Sequence, residues 1–110
     1  MPDKKLEQII NRILQVVIPD EIILFGSQAR NEATSESDYD LLIIKSEIDN
    51  ILKLEQKIYR NMLGIKANVD IIVRTPSLLV ENKLIAGSFT KNILKDGVLV
   101  YKNLNEEFLV

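Results

Sequence analysis

The chain is 110 residues long, with 46% apolar and 27% charged residues and a formal net charge of −2, which predicts one domain, residues 1–110, around one hydrophobic core. The absence of cysteine and histidine excludes disulfides, thiol nucleophiles, a histidine base and zinc sites built from thiolates or imidazoles, so acid–base chemistry must use carboxylates. The acidic balance argues against strong nucleic-acid binding, which depends on lysine and arginine.

The first part of the chain has the pattern of one helix followed by two strands. Its amino-terminal segment lacks an uninterrupted apolar stretch for a signal peptide or membrane span, which predicts a cytoplasmic protein without membrane contact. Apolar residues recur at three- and four-residue steps from Lys4 to Val17, as in an amphipathic helix. The short apolar run 21–25, closed by Gly26, and the run 38–44 both predict buried strands.

The second part predicts a helix, a strand, further helices and a last strand. The helix has an apolar face from Ile51 to Met62, with Gly64 as its carboxyl-terminal cap. A third strand is predicted at 68–73 and a fourth at 98–101, with two helices between them at 76–85 and 88–95. This order indicates an α/β (α+β) fold with a small mixed sheet of about four strands packed with helices. The helix between the second and third strands allows a parallel crossover, whereas the short connection between the first and second fits an antiparallel return.

Three aspartates are the candidate metal ligands. Asp38 and Asp40 lie two residues apart at the start of the second strand, so their side chains share one face. Asp70 interrupts the apolar third strand, and in a central strand its charge needs a partner or a metal. Parallel neighbouring strands would bring all three to one edge, where Mg²⁺ is the natural cation. For Asp38 and Asp40 the alternative is two ordinary surface aspartates at a solvated strand entry. For Asp70 it is an edge-strand aspartate that faces water or pairs with an arginine such as Arg74.

A glycine–serine corner is the candidate phosphate site. Gly26 and Ser27 follow the first strand and, with an antiparallel second strand, arrive at the same edge as the aspartates. Glycine lets the backbone approach a phosphate, and the serine hydroxyl with nearby amides can donate hydrogen bonds to it. Arg30 can bind phosphate or brace the loop. If Gly26 and Ser27 are considered without the aspartates, the alternative is an ordinary turn that binds no ligand.

Together, Gly26-Ser27, Arg30, the segment 37–43 with Asp38 and Asp40, and Asp70 in a later strand resemble the minimal nucleotidyltransferases of the DNA polymerase beta superfamily. The resemblance covers nearly the whole chain and is strongest to the small domains paired with HEPN proteins in toxin–antitoxin systems, and weaker to aminoglycoside nucleotidyltransferases. It departs at residue 31, an asparagine where the family commonly has glycine.

The resemblance implies two Mg²⁺ ions held by Asp38 and Asp40, with Asp70 binding the metal nearer the acceptor and assisting as general base. Gly26 and Ser27 would hold the outer phosphates of ATP, with Arg30 beside them. The implied reaction moves AMP onto a tyrosine of a HEPN partner and releases pyrophosphate. Nucleobase and acceptor follow from the resemblance alone.

Some other functions are disfavoured because their sequence motifs are missing, and one alternative remains open. The sequence contains neither a Gly-x-x-x-x-Gly-Lys-Ser/Thr loop nor a Gly-x-Gly-x-x-Gly turn, which disfavours P-loop and dinucleotide-binding proteins. The apolar run follows Asp38-x-Asp40 rather than preceding it, unlike in haloacid-dehalogenase-like phosphatases. A non-catalytic antitoxin or regulatory subunit that covers its partner's surface remains the alternative. A HEPN partner or a homo-oligomer is expected under either hypothesis.

Overall fold

The computed structural model describes residues 4–26, 28–29, 38–78, 93 and 95–104. Within these ranges the elements are, in chain order, α1 (Lys4–Leu14), β1 (Glu21–Phe25), β2 (Tyr39–Ile44), α2 (Ile51–Arg60), β3 (Val69–Arg74) and β4 (Val98–Lys102). The predicted helix, strands and crossover helix are confirmed. No helix in these ranges is long and apolar enough to cross a membrane.

The four strands form one mixed sheet in the order β3-β2-β1-β4. β1 pairs antiparallel with both β2 and β4, whereas β2 and β3 are parallel and joined through α2. Both pairings that were predicted from connection length are therefore confirmed. The order also makes β3 an edge strand, which was only the alternative reading of the sequence around Asp70.

The two faces of the sheet carry different clusters of apolar side chains. Alternate residues of β2, namely Tyr39, Leu41 and Ile43, belong to the main core with the buried side chains of α1 and Ile58 of α2. Leu42 and Ile44 lie in a second cluster with Ile23 and Ile93. Because side chains in a strand alternate between faces, Asp40 lies on the same face as Leu42 and Ile44, opposite α1 and α2.

The predicted ends of both helices need correction. α1 ends at Leu14 rather than Val17, and a turn follows in which the Val16 and Val17 amides both donate hydrogen bonds to the Ile13 carbonyl. α2 ends at Arg60, with Asn61 as its carboxyl-terminal cap, so Gly64 is not the cap. Gly64 has a φ of +92° in the turn that follows.

The region after β3 is only partly described. Residues 76–78 are helical, and the Thr75 hydroxyl accepts a hydrogen bond of 3.3 Å from the Leu78 amide, which confirms a helix start at this point. The rest of the helices predicted at 76–85 and 88–95 lies outside the described residues, apart from helical positions at Ile93 and Lys95.

Candidate active site

Asp40 and Asp70 occupy neighbouring positions on two parallel strands. They are register partners in the β2–β3 pair, one position after the partners Tyr39 and Val69. Register partners point to the same face of a sheet, and adjacent strands lie about 4.8 Å apart. The two carboxylates therefore project side by side near the beginnings of both strands.

Asp38 lies at the same end of the sheet. It immediately precedes β2, whose first amide, that of Tyr39, donates a 2.9 Å hydrogen bond to the carbonyl of Asn68. Asp38 and Asp70 also line one open cavity. The structure thus places the three predicted aspartates at the same end of β2 and β3.

Asp70 is not buried, contrary to the expectation that it lies in a central strand, and the alternative of an edge-strand aspartate facing water is observed. β3 is an edge strand, and Asp70 is exposed, so its charge needs no partner to offset burial. The suggested pair with Arg74 is replaced by another contact, because the Arg74 guanidinium lies 3.9 Å from Glu55 of α2. What distinguishes Asp70 is its position beside Asp40, where two like charges repel unless a cation lies between them.

Gly26 packs directly against Asp40. It follows β1, whose last residue Phe25 is the register partner of Asp40, and its φ of +76° is a left-handed conformation that favours glycine. A Cβ built on Gly26 would overlap with Oδ2 of Asp40 and lie 3.1 Å from its Cγ. The predicted meeting of the glycine corner with the aspartates is therefore observed at Gly26.

The remainder of the glycine–serine corner is described only in part. The Ala29 amide donates a 3.1 Å hydrogen bond to the Gly26 carbonyl, which closes a turn directly after β1. Ser27, Arg30 and Asn31 lie outside the described residues. Their predicted roles at the phosphates stay predictions.

The donor set at this edge suits a hard divalent cation. Asp38, Asp40 and Asp70 offer only carboxylate oxygens, the ligand type that Mg²⁺ prefers in proteins. Across the described ranges, no three acidic side chains already stand close enough together to form a cation site. The assignment of Asp38, Asp40 and Asp70 as metal ligands therefore stays a prediction.

Two features beside the aspartates were not predicted from sequence. One is a cavity of about 370 Å³ that Asp38 and Asp70 share with the end of α2 and the turn after it; the other lining residues are Tyr59, Met62, Leu63, Ala67, Asn68 and Val69. The other is the attachment of α2 to the edge of β3. Glu55 and Tyr59 lie four apart, so they share one face of α2, and this spacing was the available signal.

Comparison with known proteins identifies relatives over most of the chain. Residues 4–106 match the family model described as "Polymerase beta, Nucleotidyltransferase". Two proteins of Methanocaldococcus jannaschii, both named "Putative protein adenylyltransferase", are 38% identical over 82 residues and 35% identical over 97 residues. These alignments cover 74% and 88% of this chain, and 77% and 93% of the relatives.

Solved structures share the fold. A structure described as a "putative nucleotidyltransferase" from Sulfolobus solfataricus aligns with a TM-score of 0.64 and 26% identity, covering 93% of this chain and 81% of that one. A structure described as a toxin–antitoxin with AMP-PNP aligns with a TM-score of 0.54 and 21% identity, covering 94% of this chain and 78% of that one. At this identity the second likeness concerns the fold alone.

Proposed function

This chain belongs to the polymerase beta nucleotidyltransferase family, and we propose that it transfers AMP from ATP to a hydroxyl group of a partner protein in a Mg²⁺-dependent reaction. The observation that carries the proposal is the register pairing of Asp40 with Asp70, with Gly26 packed against Asp40. This arrangement puts carboxylates that can bind a metal, and a glycine backbone that a phosphate can approach closely, at one end of the sheet.

Each residue has a distinct task in this reaction. Asp38 and Asp40 would hold two Mg²⁺ ions, which would neutralise charge on the phosphates. Gly26 would let the backbone approach the outer phosphates, and Ser27 and Arg30 would donate hydrogen bonds to them. Asp70, next to Asp40, would also bind the metal and would accept the proton of the attacking hydroxyl.

The bond changes follow from these positions. The acceptor oxygen forms a bond to the α-phosphorus while the bond from that phosphorus to the bridging oxygen breaks. AMP remains on the acceptor, pyrophosphate leaves, and the hydroxyl proton goes to the Asp70 carboxylate. Because attacking and leaving oxygens must be nearly in line, the acceptor approaches from the side away from Gly26.

The donor and the acceptor class are supported by the relatives. Two proteins that are more than a third identical to this chain carry names that specify transfer of adenylate to protein. Structures of the same fold come from toxin–antitoxin complexes, one with the ATP analogue AMP-PNP. These names support ATP as donor and a protein hydroxyl as acceptor, and the further choice of a tyrosine of a HEPN-domain partner comes from the resemblance described under the sequence analysis.

Transfer of label from ATP labelled at the α-phosphate tests this function. The chain is incubated with Mg²⁺ and a purified HEPN-domain protein as the candidate acceptor, and label on that protein is counted after gel separation. We expect incorporation by the unmodified chain, loss to background in Asp40→Asn, and no change in Asp49→Asn, a matched substitution at an exposed aspartate outside the site.

Two outcomes would contradict the proposal. Absence of label with the unmodified chain, while the purified chain still binds and neutralises the partner, would identify a binding subunit without transferase activity. Equal incorporation by Asp40→Asn and the unmodified chain would place the chemistry elsewhere.

A further inference from the structure

A second cavity, about 430 Å³ in volume, lies at the end of the sheet opposite the aspartates. Its walls come mainly from the connection between β2 and α2 and from the first turns of α2. Lys45, which lines it, directly follows the last residue of β2, whereas Asp40 is near the first. Five residues of strand separate the two positions by about 16 Å. The cavity is therefore separate from the candidate active site.

Part of the cavity lining is apolar. Val17, Ile48 and Leu54 line it, and all three are half-buried side chains that pack against the main core on the helix side of the sheet. A ligand that covers their exposed parts removes apolar surface from water. The volume falls within the range of small-molecule sites, so the cavity can hold the apolar body of a small ligand.

Three lysines line the same cavity. Lys53 and Lys57 lie four residues apart on α2 and share one helix face, and Lys45 comes from the connection after β2. They outnumber the two acidic lining residues, Glu47 and Asp49, so the lining carries a net positive charge in a chain whose formal charge is −2. Within the described part of the chain, no ion pair joins any of these lysines to a carboxylate. Their ammonium groups can therefore pair with an anionic ligand.

Hydrogen bonds hold the backbone around the cavity in place. The Ser46 amide donates a 2.9 Å hydrogen bond to the Asp20 carboxylate, and the Asn50 side chain accepts one of 3.0 Å from the Lys53 amide. Because Asn50 already caps the start of α2, the lysine side chains rather than the helix end supply the positive charge. A cavity that is already formed costs less free energy to order when a ligand binds.

From this combination we infer that the cavity binds a small organic carboxylate with an apolar body, at a site separate from the nucleotide. The carboxylate pairs with the lysines, and the apolar body lies against the three apolar lining residues. A single negative charge matches the small net charge of the lining, whereas the several charges of ATP exceed it. An inorganic anion would leave the apolar surface in water. The inference does not depend on the proposed function.

Three probes separate the contributions of charge and apolar surface. Phenylbutyrate has both parts of the ligand, phenylbutanol lacks the charge, and acetate lacks the apolar body. Carbon-13 labels on the methyl groups of Val17, Ile48 and Leu54 report binding by NMR. We expect saturable shifts with phenylbutyrate, with a dissociation constant on the order of 1 mM. Phenylbutanol and acetate should each bind at least about fivefold more weakly.

Substitution of exposed lysines tests the charge directly. Lys53→Gln combined with Lys57→Gln should weaken phenylbutyrate binding about fivefold, because the attraction of two ammonium groups is lost. Both side chains are exposed, so the fold does not depend on them. Lys66→Gln is the matched control, since Lys66 is an exposed lysine in the turn after α2 and does not line the cavity. It should bind phenylbutyrate as the unmodified chain does.

Several results would overturn the inference. They are the absence of saturable shifts, equal affinity for phenylbutyrate and phenylbutanol, and equal affinity in the double lysine variant and the unmodified chain. Binding of acetate as tight as that of phenylbutyrate would contradict the apolar body. Displacement of phenylbutyrate by ATP in EDTA would show a nucleotide site instead. Because no transfer reaction is measured, the titration decides this inference whether or not the chain transfers AMP.

Discussion

The positions of Gly26 and Asp40 constrain each other. Gly26 combines a φ of +76° with a close approach to the Asp40 carboxylate, so alanine there suffers both backbone strain and an overlap. Gly64 separates the two effects, because its φ is +92° but a Cβ there would have no neighbour within 4 Å.

We therefore expect Gly26→Ala to lower the free energy of unfolding by about 2–4 kcal/mol and Gly64→Ala by only about 1 kcal/mol. Urea unfolding of the two variants gives the comparison. Equal losses would mean that the Asp40 side chain moves aside freely and that the glycine corner is not held against it.

Asp70 should be unfavourable for stability when no cation is present. Its carboxylate is next to that of Asp40 in register, and like charges directly opposite each other on neighbouring strands are destabilising by up to about 1 kcal/mol. Asp70→Asn should then raise the free energy of unfolding by roughly 0.5 kcal/mol in a buffer containing EDTA. Asp70→Glu keeps the charge and should show no gain. A loss of stability in Asp70→Asn would indicate that this carboxylate has a structural role.

α2 protects the exposed edge of β3 through two side chains. The Tyr59 hydroxyl accepts a 2.8 Å hydrogen bond from the Ile71 amide, and Glu55 Oε2 accepts one of 2.9 Å from the Val73 amide. Unpaired amides on an edge strand invite association with other chains. α2 therefore both links β2 to β3 and covers the outer side of the strand that carries Asp70.

Tyr59→Phe removes one of these bonds while keeping the ring. We expect a loss of about 1 kcal/mol in the free energy of unfolding, because the Ile71 amide loses its partner at a partly buried position. Hydrogen exchange followed by NMR should show faster exchange at Ile71 and little change at Val73. Unchanged exchange at Ile71 would show that this hydrogen bond does not protect the strand.

Much of the fold could be predicted because its signals are local. The strands are short apolar runs, and the length of each connection indicated which neighbours are parallel. The ends of α1 and α2 were wrong by a few residues, because α1 ends before the stop signal at Pro19 and α2 ends at the Asn61 cap. That β3 lies at the sheet edge was only an alternative at the level of the sequence, since strand order depends on contacts between segments distant in sequence.

In the candidate site, too, the features with local sequence signals were predicted and those that depend on contacts between distant segments were not. The residue spacing placed Asp38 and Asp40 on one face, and parallel pairing brought Asp70 beside them. The reason first given for Asp70, burial of a charge, was wrong because the residue is exposed. The cavity at the end of α2 was missed because its lining combines Asp38 with Leu63, and no local sequence pattern relates those residues.

Across the whole molecule, the central claim is that the aspartates hold a nucleotide through Mg²⁺, and thermal unfolding tests it without needing an acceptor. A ligand at about 100 times its dissociation constant stabilises a protein by about 2.7 kcal/mol. For a domain of this size, that is a rise in Tm of about 10 °C or more.

The deciding measurement is therefore Tm with saturating MgATP, compared with ATP in EDTA, for the unmodified chain, Asp40→Asn, Asp70→Asn and the control Asp49→Asn. The account predicts a rise of about 10 °C with MgATP in the unmodified chain and in Asp49→Asn. It predicts little or no rise in EDTA or in the other two variants. An undiminished rise in Asp70→Asn, or none in the unmodified chain, would contradict it.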